Sequence, residues 1–151
     1  FIMNEKYPNY RVKYECWLNV GKAALMCQRT MNALLSEYEI TIAQHELLLK
    51  LHQYKGIKQN ELAAKLFVVK SNVSNHVKRI EKRGLVKTIQ CEKDQRAKIL
   101  VLTKLGEELI ERSSEIQQKV VSKMFENVEL SDIEATNRLM ISTIQSLDDL
   151  Y

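Results

Sequence analysis

Between Tyr10 and Tyr38 the apolar residues Trp17, Val20, Ala24, Cys27, Met31, Leu34 and Tyr38 recur at alternating steps of three and four. That is the period of one helix face, so the pattern predicts a single long helix with an apolar stripe that needs a partner. A second helix is predicted from about Ile42 to Tyr54, where Leu47, Leu48, Leu49 and Leu51 are dense enough to be buried on most sides. Gly56 is expected to end it in the left-handed conformation that helix C-caps favour. Two short helices follow, about Gln59 to Leu66 and Lys70 to Arg83, with inner faces of Leu62, Ala63 and Leu66 and of Val73, Val77 and Ile80. Such a pair, joined by a tight turn, has the form of a helix-turn-helix.

Beyond Gly84, expected to close the second short helix, the runs Leu85 to Gln90 and Lys98 to Thr103 are apolar and β-branched around a polar stretch, Cys91 to Ala97. They predict a β-hairpin with a long charged tip. Thr103 is positioned to cap a helix with Glu107 and Glu108 in its first turn and a stripe of Leu105, Leu109, Ile116, Val120 and Met124, running to about Asn127. Ser131 with Glu134 reads as a capping box opening a last helix that carries Ile133, Met140, Ile144 and Leu147. The expected fold class is mainly α with one β-hairpin.

Composition agrees with this pattern. The chain has 151 residues, 45% apolar and 28% charged, with one proline and four glycines, which suits one helix-rich globular domain. No apolar run is long enough to span a membrane. Three cysteines without paired spacing argue against a disulfide framework. With no leader-like segment, the expected setting is a reducing cytoplasm.

Charge changes the picture more. Residues 55 to 104 hold 13 Lys and Arg against 4 Asp and Glu, a net of +9, whereas the rest hold 10 against 15, a net of −5. The overall +4 therefore hides a basic middle between acidic flanks, the footprint of a surface that meets a polyanion.

Within that middle, the predicted helix from Lys70 carries Asn72, Asn75, His76 and Arg79 opposite its apolar face, flanked by Ser71, Ser74, Lys78 and Lys82. Asparagine pairs bidentately with adenine, arginine and histidine reach guanine acceptors, and serine and lysine suit phosphates. Helix-turn-helix spacing alone fits a solvated face equally well, and the local positive charge favours double-stranded DNA. At the hairpin tip Arg96 is a candidate minor-groove probe, with Asp94 placed to orient it and Lys98 beside it, although an ordinary charged turn has the same composition.

The stretch Asn60-Glu61-Leu62-Ala63-Ala64-Lys65-Leu66, then Ser71-Asn72-Val73-Ser74, then Ile80-Glu81-Lys82-Arg83-Gly84-Leu85-Val86, resembles the winged helix-turn-helix of the MarR family of bacterial transcription regulators. Asp94-Gln95-Arg96-Ala97-Lys98, followed by Val101-Leu102-Thr103 and Gly106, resembles that family's wing signature. The resemblance implies one domain over residues 1–151, with dimerisation helices at about 10–38 and 104–151 around a DNA-binding module at about 42–103. It also implies an obligate homodimer on a pseudo-palindromic operator, usually as a repressor released by a small molecule or oxidant. Val69 stands where the family usually caps the recognition helix with Ser or Asp, and Lys58 replaces a usual hydroxyl residue. Phosphate contacts from those hydroxyls do not carry over.

Three effector readings follow. In the family the pocket lies where the first, second and fifth helices meet the DNA-binding module, which makes Trp17, Met31 and His45 candidate wall residues, equally readable as core and dimer contacts. Cys16 lies near the position of the reactive cysteine in the hydroperoxide-sensing branch, but an ungapped count from Ile40-Thr41 puts that position at Trp17. Metal sensing is weakest: His45-Glu46 begins a zinc-enzyme pattern that Leu49 breaks, and the fifth helix has no histidine. His45 and His52 are expected at the surface or an interface. An alternative is a winged-helix module that docks an acidic protein. No nucleophile with a base, phosphate-cradling loop or metal spacing points to an enzyme, and no cofactor is expected.

Overall fold

A computed structural model of the chain describes residues 7–66, 70–91 and 94–150, with the side chains of residues 70, 71, 91 and 94–97 outside that description. In chain order the elements are α1 (Tyr10–Leu35), α2 (Ile42–Tyr54), β1 (Ile57–Lys58), α3 (Gln59–Lys65), α4 (Lys70–Lys82), β2 (Val86–Cys91), β3 (Asp94–Leu102), α5 (Lys104–Met124) and α6 (Leu130–Asp148). They form two compact units, residues 1–117 and 118–151, divided within α5.

In the first unit α1 passes at Ser36–Tyr38 into a short 3-10 turn. Its inner positions are Met31 and Leu35, while Leu34, Val20 and Trp17 of the predicted stripe are exposed. The stripe exists, but the first unit covers only its C-terminal end. α2 has the predicted bounds, set by a capping box: Thr41 Oγ1 accepts from the Gln44 backbone at 3.3 Å, and Gln44 Oε1 accepts from the Thr41 backbone at 3.0 Å. Leu47, Leu48 and Leu51 are buried, and they form the core with Leu62, Val73, Val77, Ile80, Leu85 and Leu100. The left-handed residue that ends α2 is Lys55 rather than Gly56, which follows with φ 125°.

The sheet has strand order β1-β3-β2, all antiparallel. β1 is absent from the sequence expectation because two residues, Ile57 paired with Leu100 and Lys58 with Ile99, carry no periodic pattern of their own. The hairpin pairs regularly from Val86 with Leu102 to Gln90 with Lys98 and then shifts register, so that Cys91 opposes Asp94. β3 thus runs through most of the stretch expected as a polar tip.

Gly84 closes α4 as expected. At φ 72° it lets its own N–H reach the Glu81 carbonyl at 2.8 Å and the Leu85 N–H reach the Ile80 carbonyl at 3.0 Å. These are the two bonds of a Schellman motif, with buried Leu85 and Ile80 as its apolar pair. Thr103 then caps α5: its Oγ1 accepts from the Gly106 N–H at 3.1 Å and donates to the Gly84 carbonyl at 2.6 Å. In the first unit α5 buries Gly106, Ile110 and Ser113; of the predicted stripe Val120 is buried, Leu109 and Ile116 are half-buried, and Leu105 and Met124 are exposed. A Cβ on Gly106 would stand 2.1 Å from the Leu85 carbonyl oxygen, so only glycine fits at that position of the buried face.

In the second unit, α5 ends at Met124 and α6 begins at Leu130. Ser131 lies inside α6 and not at its cap. Glu129 is the N-cap, without a side-chain bond, and its carbonyl receives the N–H groups of Asp132 and Ile133. On α6, Ile133 and Met140 are half-buried, whereas Leu139, Ile141, Ile144 and Leu147 are at least half exposed.

Candidate nucleic-acid interface

The helix-turn-helix is assembled by burial of one side of α4. Val73, Val77 and Ile80 turn into the core, and this leaves Asn72, Asn75, Lys78, Arg79 and Lys82 exposed. Ser74 is half-buried, and its Oγ accepts a 2.7 Å hydrogen bond from Gln59 Nε2, which ties the start of α3 to α4. The backbone of Lys70 and Ser71 is helical, but their side chains lie outside the described residues, as does Val69 altogether.

His76 is placed differently from its neighbours. It is half-buried, its Nδ1 is enclosed without a hydrogen-bond partner among the described residues, and it lines an open cavity of about 540 Å³ with Asn32, Ser36, Thr41 and Ala43. Its ring thus sits between the exposed face of α4 and the α1–α2 junction.

Part of the positive charge is used for structure. Arg83, just past α4, donates from Nη1 to the Glu39 carbonyl at 2.6 Å and from Nη2 to the Tyr38 carbonyl at 3.0 Å. It satisfies the orphan carbonyls at the end of the 3-10 turn and anchors the C-terminal end of α4. Lys65 lies 4.7 Å over the Tyr54 ring, and Thr88 Oγ1 donates to Glu81 Oε1 at 2.5 Å, joining β2 to α4. Among the described side chains, the basic ones left in solvent on the helix are Lys78, Arg79 and Lys82, with Lys87 and Lys98 exposed on the hairpin.

The register shift places Arg96 on β3 between Asp94, opposite Cys91, and Lys98, opposite Gln90. The Asp94 and Arg96 side chains, and with them the expected ion pair, lie outside the described residues, as does the Cys91 thiol.

Trp17 is exposed and packs at a tilt against Tyr14, their ring centroids 5.6 Å apart, whereas Met31 is buried in α1. His45 is 2% exposed, against the expectation of a surface or interface position. Its Nδ1 lies 3.0 Å from Ser113 Oγ and its Nε2 3.2 Å from Gln117 Oε1. Burial lowers its pKa below the ordinary 6.5, opposed by the Gln117 hydrogen bond and the Glu46 charge. Only the partners explain why the ring is inside, and they sit 68 and 72 residues away in the sequence. His52, by contrast, is half-buried and bonds Glu107 at the start of α5. Cys16 is exposed, Cys27 half-buried, and both are free thiols. Among the described residues no cluster of three or more His, Cys, Asp or Glu is placed to hold a metal, and no helix is long and apolar enough to cross a membrane.

Residues 40–98 match the MarR family model. A helix-turn-helix-type transcriptional regulator of Bacillus cereus is 30% identical over 112 residues, which cover 74% of each chain. Among solved structures, a MarR family regulator from Streptomyces coelicolor in complex with DNA superposes with a TM-score of 0.81 at 22% identity, covering 89% of this chain and 86% of that one. A mutant MarR from E. coli, complexed with operator DNA, gives 0.78 at 19% identity, covering 91% and 99%. The fold is that of these proteins, and the chain belongs to the MarR family of transcription regulators.

Proposed function

We propose that the chain is a dimeric, sequence-specific DNA-binding repressor that reads a pseudo-palindromic operator through α4 and the β2–β3 wing. The observation that carries this reading is the exposed polar face of α4. Asn72, Asn75 and Arg79 stand in solvent on a helix braced by Gln59 at one end and Arg83 at the other. A rigid helix presenting base-reading side chains, with Lys70, Ser71, Ser74 and Lys78 on the same helix and Lys98 on the wing for phosphates, is suited to the major groove. Arg96, on the wing with Asp94, is assigned to the flanking minor groove. Two relatives of the same fold were solved bound to DNA, which supports the assignment.

The homodimer is supported by exposed apolar side chains. Trp17, Val20, Leu139, Ile144 and Leu147 are all more than two fifths exposed, far more apolar surface than a soluble helix normally leaves uncovered. The module at about 42–103 would read DNA, and the helices at about 10–38 and 104–151 would hold two copies together in the cytoplasm. Release is assigned to a small-molecule effector near Trp17, Met31 and His45. No cofactor enters this scheme, and the protein acts by binding and not as an enzyme.

The test is selection of bound sequences from a random DNA pool. The expected product is a pseudo-palindrome with half-sites about one helical turn, roughly 10 bp, apart. Arg96→Ala should weaken binding to it. Retention of all sequences alike, beside tight capture of one acidic protein, would instead favour a protein-docking module.

A further inference from the structure

Helix α5 is fastened to the DNA-reading module by several polar contacts. At its start, Thr103 bonds the Gly84 carbonyl and caps the helix, and His52 of α2 bonds Glu107. Further along, His45 of α2 stands between Ser113 and Gln117 of α5, with His45 and Ser113 wholly buried. α2 also packs on α3, α4 and β3, so a change in its hold on α5 bears on both helices of the helix-turn-helix and on the wing strand β3.

The trio has two complete hydrogen-bonding arrangements. The Gln117 carboxamide oxygen accepts only, so His45 Nε2 carries a proton and donates to it. In the neutral ring Nδ1 is bare, and the Ser113 hydroxyl donates to it across 3.0 Å. A proton added at Nδ1 reverses that bond. Nδ1–H then donates to Ser113 Oγ, and the hydroxyl hydrogen turns to the Ile110 carbonyl, 3.4 Å away on its own helix. Among the described residues the charged group acting on the ring is Glu46, its neighbour on α2, which favours the added proton. The α5 groups that face it, Ser113, Gln117 and the Ile110 carbonyl, are uncharged. Ser113 is 0% exposed, so the pair is no nucleophile and base awaiting a substrate.

We propose that His45, Ser113 and Gln117 form a proton-responsive clamp that positions α5 against the helix-turn-helix and wing, so that acidification weakens operator binding. The clamp rests on the DNA-binding reading above. His45 acts through α5 and touches no DNA. At neutral pH its burial keeps the ring uncharged and the clamp closed. Protonation places a charge between the two helices, with the Nδ1–Ser113 bond kept but reversed.

Three proteins and two readouts test this. Operator affinity is measured from about pH 7.5 to about pH 5.5, and the His45 ring is followed by NMR over the same range. Wild type should lose affinity by about fivefold or more on acidification, in step with the ring's titration. His45→Gln keeps an N–H for Gln117 but cannot titrate. It should lose the step, whatever its affinity near neutrality. Ser113→Ala removes both the donor to the bare ring and the acceptor for the added proton, and should shift the midpoint of the affinity step together with that of the ring. An unchanged step in His45→Gln overturns the clamp, as does a ring that does not titrate. So does a Ser113→Ala protein weakened equally at every pH with its midpoint unmoved. Wild type that bound no DNA sequence near neutrality would sink the DNA-binding reading itself, a result distinct from binding without a pH step.

Discussion

Gln59 and Ser74 are joined by a 2.7 Å hydrogen bond from the first residue of α3 to the middle of α4. The bond fixes how the two helices meet without contributing to the core, because Gln59 is exposed. It also uses the Ser74 hydroxyl oxygen as an acceptor, which leaves its O–H free to donate to a phosphate. Gln59→Ala should therefore change stability little, within about 0.5 kcal/mol. Operator affinity should fall about fivefold, because α4 loses the brace that orients its base-reading face. Fluorescence anisotropy with the selected operator, beside a urea titration, separates the two. Unchanged affinity would show that the bond does not orient α4.

Gly106→Ala tests the closest approach of α5 to the module. The added Cβ would meet the Leu85 carbonyl oxygen at 2.1 Å, and that atom is backbone, held by the Thr103 N–H at 3.0 Å. Neither side yields without shifting α5 or breaking the strand start. The expected loss is about 2 kcal/mol or more, although alanine is the better helix former. A urea midpoint at or above that of wild type would disprove the tight contact.

These two residues also mark how far the sequence could be read. The inner faces of α2 and α4 were legible because leucine, valine and isoleucine occupy them at helical spacing. Val73, Val77 and Ile80 are all buried as expected. The inner face of α5 was legible only in part, because two of its positions are Gly106 and Ser113, and neither carries hydrophobic signal. Of the predicted stripe Val120 is buried and Leu109 and Ile116 are half-buried, whereas Leu105 and Met124 are exposed. Similarly, the Lys55 cap and the two-residue β1 depend on what β3 brings alongside, which no local pattern records. At the candidate site, the solvent face of α4 was legible from its periodicity, but His76 is turned toward the α1–α2 junction by packing. Arg83 counts as basic charge in the sequence and as a backbone anchor in the fold.

Stability should fall in mild acid through His45. Its pKa in the folded chain lies below the ordinary 6.5 because burial disfavours the charged ring. The unfolded chain therefore binds the proton first. The contribution is complete above 6.5, declines as pH falls through that value, and stops declining below the folded-state pKa. Urea midpoints of wild type and His45→Gln should converge on acidification. Parallel pH profiles would remove the burial argument.

Peroxide separates the two effector readings. Cys16 is an exposed free thiol, and exposure alone permits oxidation without making it a sensor. With a small molecule as the natural effector, treatment with hydrogen peroxide should leave operator binding unchanged in wild type and in Cys16→Ser alike. Loss of binding that Cys16→Ser abolishes would establish the redox alternative. Loss that persists in Cys16→Ser would direct attention to Cys27 and Cys91.

Asn75 and Lys82 should fail in different ways if α4 lies in the major groove. Both are exposed on the same helix, but one presents a carboxamide and the other a point charge. A carboxamide paired bidentately with adenine is worth about 1 to 3 kcal/mol of discrimination at its own base pair. Asn75→Ala should therefore weaken the selected operator by about ten-fold or more and bind scrambled DNA as wild type does, relaxing preference at one position of each half-site. A lysine on a phosphate reads no sequence. Lys82→Ala should weaken all DNA alike and lower the slope of log affinity against log salt by about one per protomer. Anisotropy titrations at several salt concentrations, on operator and scrambled duplexes, give both quantities. If Asn75→Ala kept the full preference for the operator, α4 would not be reading bases through that residue, and sequence selection would have to come from Asn72, Arg79 or the wing.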